Sequence, residues 1–246
     1  MKGDTWEKNS NFQRSNEAYL ENQNLFIQKC NKLLGGGGNA KNHNLDYKLL
    51  DIGCNDGIFT KILSDKIGYT PYGVDFLEDL IVNARNNGVL AKKANIDSGI
   101  PFDNSFFDLI VSNQVIEHVM ETDNFFKEIY RLLKPNGYAI ISCPNITSFH
   151  NLGLMIFGMQ PVSFHSSHIQ VGNPLFGTKI GELSSGLRHV KIFTAPALKD
   201  LATHHGFEVL DIYGYGHYYI PKFISSFLSK LTPRYSIYIG IVLKKL

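Results

Sequence analysis

Asp51, Gly53, Asn55 and Gly57 fall in one short stretch, Asp51-Ile52-Gly53-Cys54-Asn55-Asp56-Gly57, directly after a run of buried-strand character that ends at Ile52. Glycines at such a turn let a ligand lie against bare backbone at the carboxyl end of a strand. A further acid, Asp75, stands in Gly73-Val74-Asp75-Phe76 about 20 residues later, where a ribose diol needs an acceptor. A dinucleotide fingerprint, G-x-G-x-x-G, would put its middle glycine at position 55 and turn helix amides toward a pyrophosphate. Here Asn55 takes that place, and Asp51 beside the turn would repel a pyrophosphate but suits the ammonium of a methionine tail. The chemistry these residues fit is the binding of S-adenosylmethionine.

The elements that must hold them in place can be read outward from this turn. Lys48 to Ile52 is expected to be a buried strand and Gly57 to Ile67 a helix. Tyr72 to Val74, Val89 to Lys92, Leu109 to Ser112 and Tyr138 to Cys143 are expected strands. Leu77 to Asn86 and Asp123 to Leu133 are expected helices, the second stopped by Pro135 and Gly137. Strands alternating with helices at this spacing imply an α/β fold, a parallel sheet covered on both faces. Asn145 to Val190 breaks the rhythm and reads as a lid or insert. Thr194 should cap a helix over Ala195 to His205, with strands at Phe207 to Tyr213 and Ser236 to Leu243 and a helix at Lys222 to Leu231. Upstream, Asn16 to Leu34 has an amphipathic pattern, and Gly35 to Gly38 with the polar stretch after it reads as a flexible connector. The expected division is therefore a helix and connector over 1–46 and one α/β domain over 47–246.

Composition excludes several classes. Among 246 residues, 43% are hydrophobic and 19% charged, an ordinary globular balance, and the formal net charge is +2, so nothing calls for nucleic acid as partner. Three widely spaced cysteines form no disulfide framework, and the first ten residues lack the pattern of a signal peptide, so the expected compartment is the cytoplasm. No apolar run is long enough to span a bilayer. Ile220, Phe223, Ile224, Phe227, Leu228 and Leu231 do form an apolar stripe, with Lys222 and Lys230 nearby. Packing of that stripe on the sheet is the expectation, and an interfacial helix the alternative.

Histidines are the candidate proton acceptors: His118, His189, His165 and His168. His165 and His168 lack ligand spacing with any third partner, so no metal site is expected and a solvated loop is their default. For His189, fixing the lid to the following helix weighs as much as catalysis.

At these residues the chain resembles the class I S-adenosylmethionine-dependent methyltransferases, of the methyltransferase type 11 group. Asn95-Ile96-Asp97 is similar to that family's adenine-contacting segment. Ile100 to Asp108 resembles its run into the fourth strand, Ser112-Asn113-Gln114-Val115-Ile116-Glu117-His118-Val119 the segment closing over the methionine moiety, and Arg131 to Gly137 the turn before the fifth strand. The resemblance implies a Rossmann-like doubly wound seven-stranded sheet with an antiparallel last strand. It also implies that Asp51, Gly53, Cys54, Asn55 and Gly57 line the methionine side, with Asp75 on the ribose and Phe76, Asn95, Ile96 and Asp97 at the adenine. Asn113 and Val115 would touch the cofactor through backbone. His118 encloses the cofactor in such families, and His189, in His-Val-x-x-Phe-Thr, would sit at the mouth of the active site. Two departures are noted: Asn55 in place of glycine, tolerable because asparagine accepts left-handed backbone, and Asn95 in place of an acid.

Val89 to Phe107 and the stretch from Pro144 to Val162 also resemble the methionine-biosynthesis W family. This leaves an accessory, non-catalytic protein as the alternative to an enzyme. The expected act is methyl transfer to a small hydroxylated acceptor, a sugar or glycan intermediate first and a quinone-like metabolite second. The acceptor pocket would be roofed by the 145–190 insert together with the N-terminal helix. Oligomeric state is not legible in the sequence.

Overall fold

The computed structural model describes residues 10–34, 46–162, 171–172, 189–217 and 222–246, with side chains from residue 21 in the first helix and from residue 224 in the last. In chain order the elements are α1 (Ser10–Leu33), β1 (Lys48–Ile52), α2 (Ile58–Ile67), β2 (Thr70–Asp75), α3 (Glu78–Asn86), β3 (Leu90–Lys93), β4 (Phe107–Asn113) and α4 (Thr122–Leu132). There follow β5 (Leu133–Pro144), α5 (Phe149–Ile156), α6 (Ala195–His204), β6 (Phe207–Tyr215), α7 (Lys222–Leu231) and β7 (Tyr238–Lys245). The seven strands form one sheet in the order β3-β2-β1-β4-β5-β7-β6. β1 to β5 run parallel, and β7 lies antiparallel between β5 and β6. The strand order reverses at β1 and β4, which opens a crevice at their carboxyl ends, the place where open α/β sheets take ligands.

Both faces of the central strands are buried, and successive residues serve opposite layers. Leu50, Ile110 and Ile141 pack with α4 and α6 through Phe125, Ile129 and Leu198. Their neighbours Leu49, Leu109 and Ile140 pack on the other side with Phe26 and Cys30 of α1 and Phe59 and Leu63 of α2. Phe26 and Phe59 meet edge to face at 6.1 Å. Helix α1 is thus one layer of the core. It also begins earlier than its sequence pattern suggested, at Ser10 rather than Asn16. The glycine connector between α1 and β1 lies outside the described residues.

The strands extend past their expected limits because pairing, not apolar character, decides where they stop. Lys134, Pro135, Asn136 and Gly137, expected as a turn, are drawn into β5. The Lys134 ammonium reaches both carboxylate oxygens of Asp108 at 2.8 Å, Leu133 pairs with Phe107, and the register shifts before Leu109. Thr194 caps α6 as expected, accepting from the Ala197 amide at 3.2 Å. Within the insert, α5 is the described regular element; 163–170 and 173–188, with His165 and His168, lie outside the described residues.

One packing expectation is overturned. Ser225 and Ser229 form the buried side of α7, whereas Ile224, Phe227 and Leu231 are exposed. The inward serines lie beside the His217 ring, with Ser236 against Ser229, where hydroxyls fit and large side chains do not. Ile220 and the Phe223 side chain lie outside the described residues.

Gly57, the residue before α2, has φ 78°, and a Cβ there would stand 2.9 Å from Cα of Ala84 in α3. Left-handed strain and overpacking together predict that Gly57→Ala loses about 2–4 kcal/mol of stability, read from urea unfolding.

Candidate active site

The turn after β1 is built by backbone. The amides of Gly53 and Cys54 both donate to the Val74 carbonyl of β2, at 2.8 and 3.0 Å, and the Gly57 amide donates to the Cys54 carbonyl at 2.9 Å. Gly53, Asn55 and Gly57 all hold positive φ, 79°, 51° and 78°. Asn55 therefore does adopt the left-handed backbone, and its side-chain oxygen accepts from the Asp56 amide at 2.7 Å, a local bond glycine cannot make. Glycine is required at 53 for a second reason: a Cβ there would run into the Val115 side chain. The turn and the segment after β4 are packed together at that point.

Beside this turn is a cavity of about 260 Å³ lined by Gln23, Asp51, Gly53, Cys54, Asn55 and Asn113, among others. Asp51 is only 3% exposed, and among the described residues its carboxylate accepts one short hydrogen bond, from the Thr60 hydroxyl at 2.6 Å. Burial pushes the Asp51 carboxyl up to about 7, with Asp75 adding to the shift and the Thr60 bond opposing it. A buried acid poised near neutrality is a place for a cation: an ammonium in this cavity would return it to the carboxylate form. Two larger clefts, near β3 and at the amino ends of β1 and β4, contain none of these residues.

Asp75 places its two oxygens in order. One accepts from the Asn55 amide at 3.0 Å and the other from the Leu77 amide at 3.1 Å, so each keeps a lone pair for a ribose hydroxyl. Phe76, next to Asp75, stands 60% exposed. The Asn95 side-chain oxygen accepts from the Asp97 amide at 3.1 Å and so caps the turn Ile96–Ser98. Asp97 in turn accepts from the Met120 and Glu121 amides at 3.1 and 2.9 Å, tying this turn to the start of α4. Asn95 and Asp97 are thus first of all builders of the loop.

The segment after β4 carries the rest. The Asn113 side-chain oxygen accepts from Ser142 at 2.7 Å and from the Asn22 side chain of α1. Gln114, at φ 59°, donates to Ser142 and to the Tyr215 hydroxyl. Sequence reasoning missed Asn22, Gln23 and Gln114. Asn22 shares a helical stripe with Phe26 and Cys30, and that spacing is the signal that would have found it.

His118 and His189, distant in sequence, are brought together: their rings are 5.0 Å apart at 58°. The link is the Glu117 backbone carbonyl, which accepts from the Val190 and Lys191 amides at 2.8 and 3.1 Å and so holds the 189–191 segment against the short turn Ile116–His118. The Glu117 side chain is 2% exposed, and its Oε2 has no partner among the described residues. Burial pushes this carboxyl up to about 8. It stands 4.0 Å from Nε2 of His118, a contact too long for a hydrogen bond. Glu117, His118 and His189 bring three ligand atoms within 4.8 Å of one another, close enough to share a small cation, a grouping the sequence spacing did not reveal.

The model of a methyltransferase domain matches residues 19–212, most of the chain. The chain belongs to the methyltransferase-domain family. Its cofactor is S-adenosylmethionine, and the seven-stranded sheet with its antiparallel last strand is that of the class I fold. This methyltransferase domain is 28% identical over 133 residues to the mitochondrial ubiquinone biosynthesis O-methyltransferase of Bos taurus, covering 48% of the chain and 36% of the relative. It is 33% identical over 107 residues to the ubiquinone biosynthesis O-methyltransferase of Pelagibacter ubique, covering 42% and 44%. The matches thus span less than half of these curated relatives. An S-adenosylmethionine-dependent methyltransferase of Methanosarcina mazei superposes with a TM-score of 0.58 at 21% identity, over 82% of this chain and 94% of that one.

A cation beside Asp51 binds best when the carboxyl is ionised. Affinity for S-adenosylmethionine should therefore rise as pH goes from 5.5 to 7, with proton release on binding, and Asp51→Asn should abolish both; calorimetry in buffers of different ionisation enthalpy reads them. For Glu117, the folded state holds its proton from the ordinary carboxyl range up to about 8, so stability falls as pH rises through that window. Glu117→Gln should flatten the melting temperature against pH and melt higher than the wild type at pH 8.5.

Proposed function

We propose that the protein transfers the methyl group of S-adenosylmethionine to the hydroxyl of a small acceptor, with His189 and His118 handling the proton. The observation that carries this reading is the gathering of both imidazoles around the buried Glu117 at the carboxyl edge of the sheet, beside the cofactor turn. The cofactor residues proposed are Asp51, Gly53, Cys54, Asn55 and Gly57 at the methionine end and Asp75 and Phe76 at the nucleoside. Asn95, Ile96 and Asp97 would shape the adenine pocket, and Asn113 and Val115 would close the methionine side. S-adenosylmethionine supplies an electrophilic methyl carbon on a sulfonium. The acceptor oxygen attacks that carbon, the C–O bond forms as the C–S bond breaks, and the sulfur leaves as a neutral thioether. An imidazole takes the hydroxyl proton and later passes it to water.

The named activity of the curated relatives is O-methylation in ubiquinone biosynthesis, which supports a phenolic or quinone-like hydroxyl over the sugar expected first. A purely accessory role is the competing reading, and the paired imidazoles argue against it. With labelled S-adenosylmethionine and a panel of catechols, phenols and sugars, methyl incorporation should appear on the phenolic members. His189→Ala should lower kcat by about 10²-fold or more and flatten the acid limb of its pH profile while leaving cofactor affinity in place. Asp75→Ala should instead lose S-adenosylmethionine binding. No incorporation into any acceptor by a protein that binds the cofactor would favour the accessory reading. The three clustered ligand atoms support one variant of the mechanism, in which a divalent cation lowers the acceptor pKa. Loss of activity with EDTA and its return with added metal would select that variant over a metal-free base.

A further inference from the structure

α7 is amphipathic in the reverse of the usual sense. Its described buried positions are Ser225 and Ser229, 4% and 5% exposed, while Phe227 and Leu231 are 61% and 63% exposed. α5 also leaves large apolar side chains in water at its carboxyl end: Leu154 is buried, but Ile156 and Phe157 stand 80% and 76% exposed, with Met155 beside them. The two helices share one end of the molecule, because α5 follows the carboxyl end of β5 and α7 that of β6, and these strands run the same way. Phe149 of α5 joins them, stacked at 4.8 Å on Tyr235 just beyond α7. A cluster of large apolar side chains left in water on one face marks an interaction site.

The charge pattern around this face selects the occupant. Residues 145–162 contain no Asp, Glu, Lys or Arg, and residues 212–246 contain no Asp or Glu. Lys222 and Lys230 lie in the first and last turns of α7 and Arg234 just beyond it, and Lys230 and Arg234 are exposed. A second copy of this chain docked through a two-fold axis would set these cations against their own mates, and the carboxylate beside α7, that of Glu21, already accepts from the Ser226 hydroxyl at 3.2 Å. A surface that is apolar within and negative at its headgroups answers both features at once.

We propose that the exposed apolar side chains of α5 and α7, with Lys230 and Arg234 at their border, dock the protein peripherally on an anionic lipid bilayer. The docked face is the carboxyl edge of the sheet, so the active site opens toward the membrane. No helix among the described residues is long and apolar enough to cross it, and the contact is interfacial. This assignment stands apart from the choice of methyl acceptor.

The test is co-sedimentation of the full chain with vesicles of phosphatidylcholine alone and of phosphatidylcholine mixed with phosphatidylglycerol. The wild type should partition into the anionic vesicles, more weakly into the neutral ones, and less as salt is raised. Phe227→Ser combined with Leu231→Ser should weaken partitioning at least about 10-fold while S-adenosylmethionine binding is kept, and Lys230→Gln with Arg234→Gln should remove only the anionic preference. Should the serine variant fail to fold, hydrogen exchange of the wild type serves instead, with vesicles expected to slow exchange over 149–157 and 222–231. Absence of wild-type partitioning into either vesicle, or unchanged partitioning by the serine variant, would overturn the proposal. So would a dimer seen by sedimentation velocity that the serine variant abolishes, since a second copy would then be the occupant.

Discussion

An acid at the end of the central strand, taken out of water and given a single hydroxyl for company, is an electrostatic debt in the folded chain. Asp51 is held there because β1 is buried on both faces and its neighbours Leu50 and Ile52 must stay in the core. The carboxyl meets that cost by rising toward neutrality, and the binding of a cation meets it better. Much of the surrounding architecture follows from this one placement. The left-handed turn at Gly53, Asn55 and Gly57 carries the chain away from the acid without covering it, and the Val74 carbonyl fixes the turn's two amides. Asp75, one strand over, then lies in reach of the same ligand.

The second group of residues is organised by backbone rather than by charge. Glu117 sends its carbonyl to two amides of the 189–191 segment and its carboxyl into the interior. Whatever rearranges that segment must also disturb the turn that carries His118. The imidazoles are therefore coupled mechanically as well as by their 5.0 Å ring contact. Burial holds the proton on the Glu117 carboxyl up to a pH of about 8, next to the two rings.

The glycine turn, Asp75 and the alternation of strands and helices were legible in the sequence because each rests on local chemistry: positive φ, a charged acceptor and a period of two or 3.6. The capping role of Asn95 was not, since it depends on where the Asp97 amide ends up. The pairing of His118 with His189 was equally hidden, because the contact crosses the insert and is made by hydrogen bonds to a carbonyl that every residue possesses. The stripe on α7 was read correctly as amphipathic and assigned to the wrong side. Periodicity shows that a helix has two faces, and here the serines fit the space next to His217 while the larger residues do not.

Asn22 joins the N-terminal helix to Asn113 and Ser142, partners 91 and 120 residues further along the chain. Loops of that length close slowly and only once both ends exist. The bridge from Asn22 to Asn113 needs β4 in the sheet, and the one to Ser142 needs β5 as well. The apolar stripe of α1 can settle on Leu49 and Leu109 of β1 and β4 without that strand, so the polar side of α1 is the part that depends on the complete sheet.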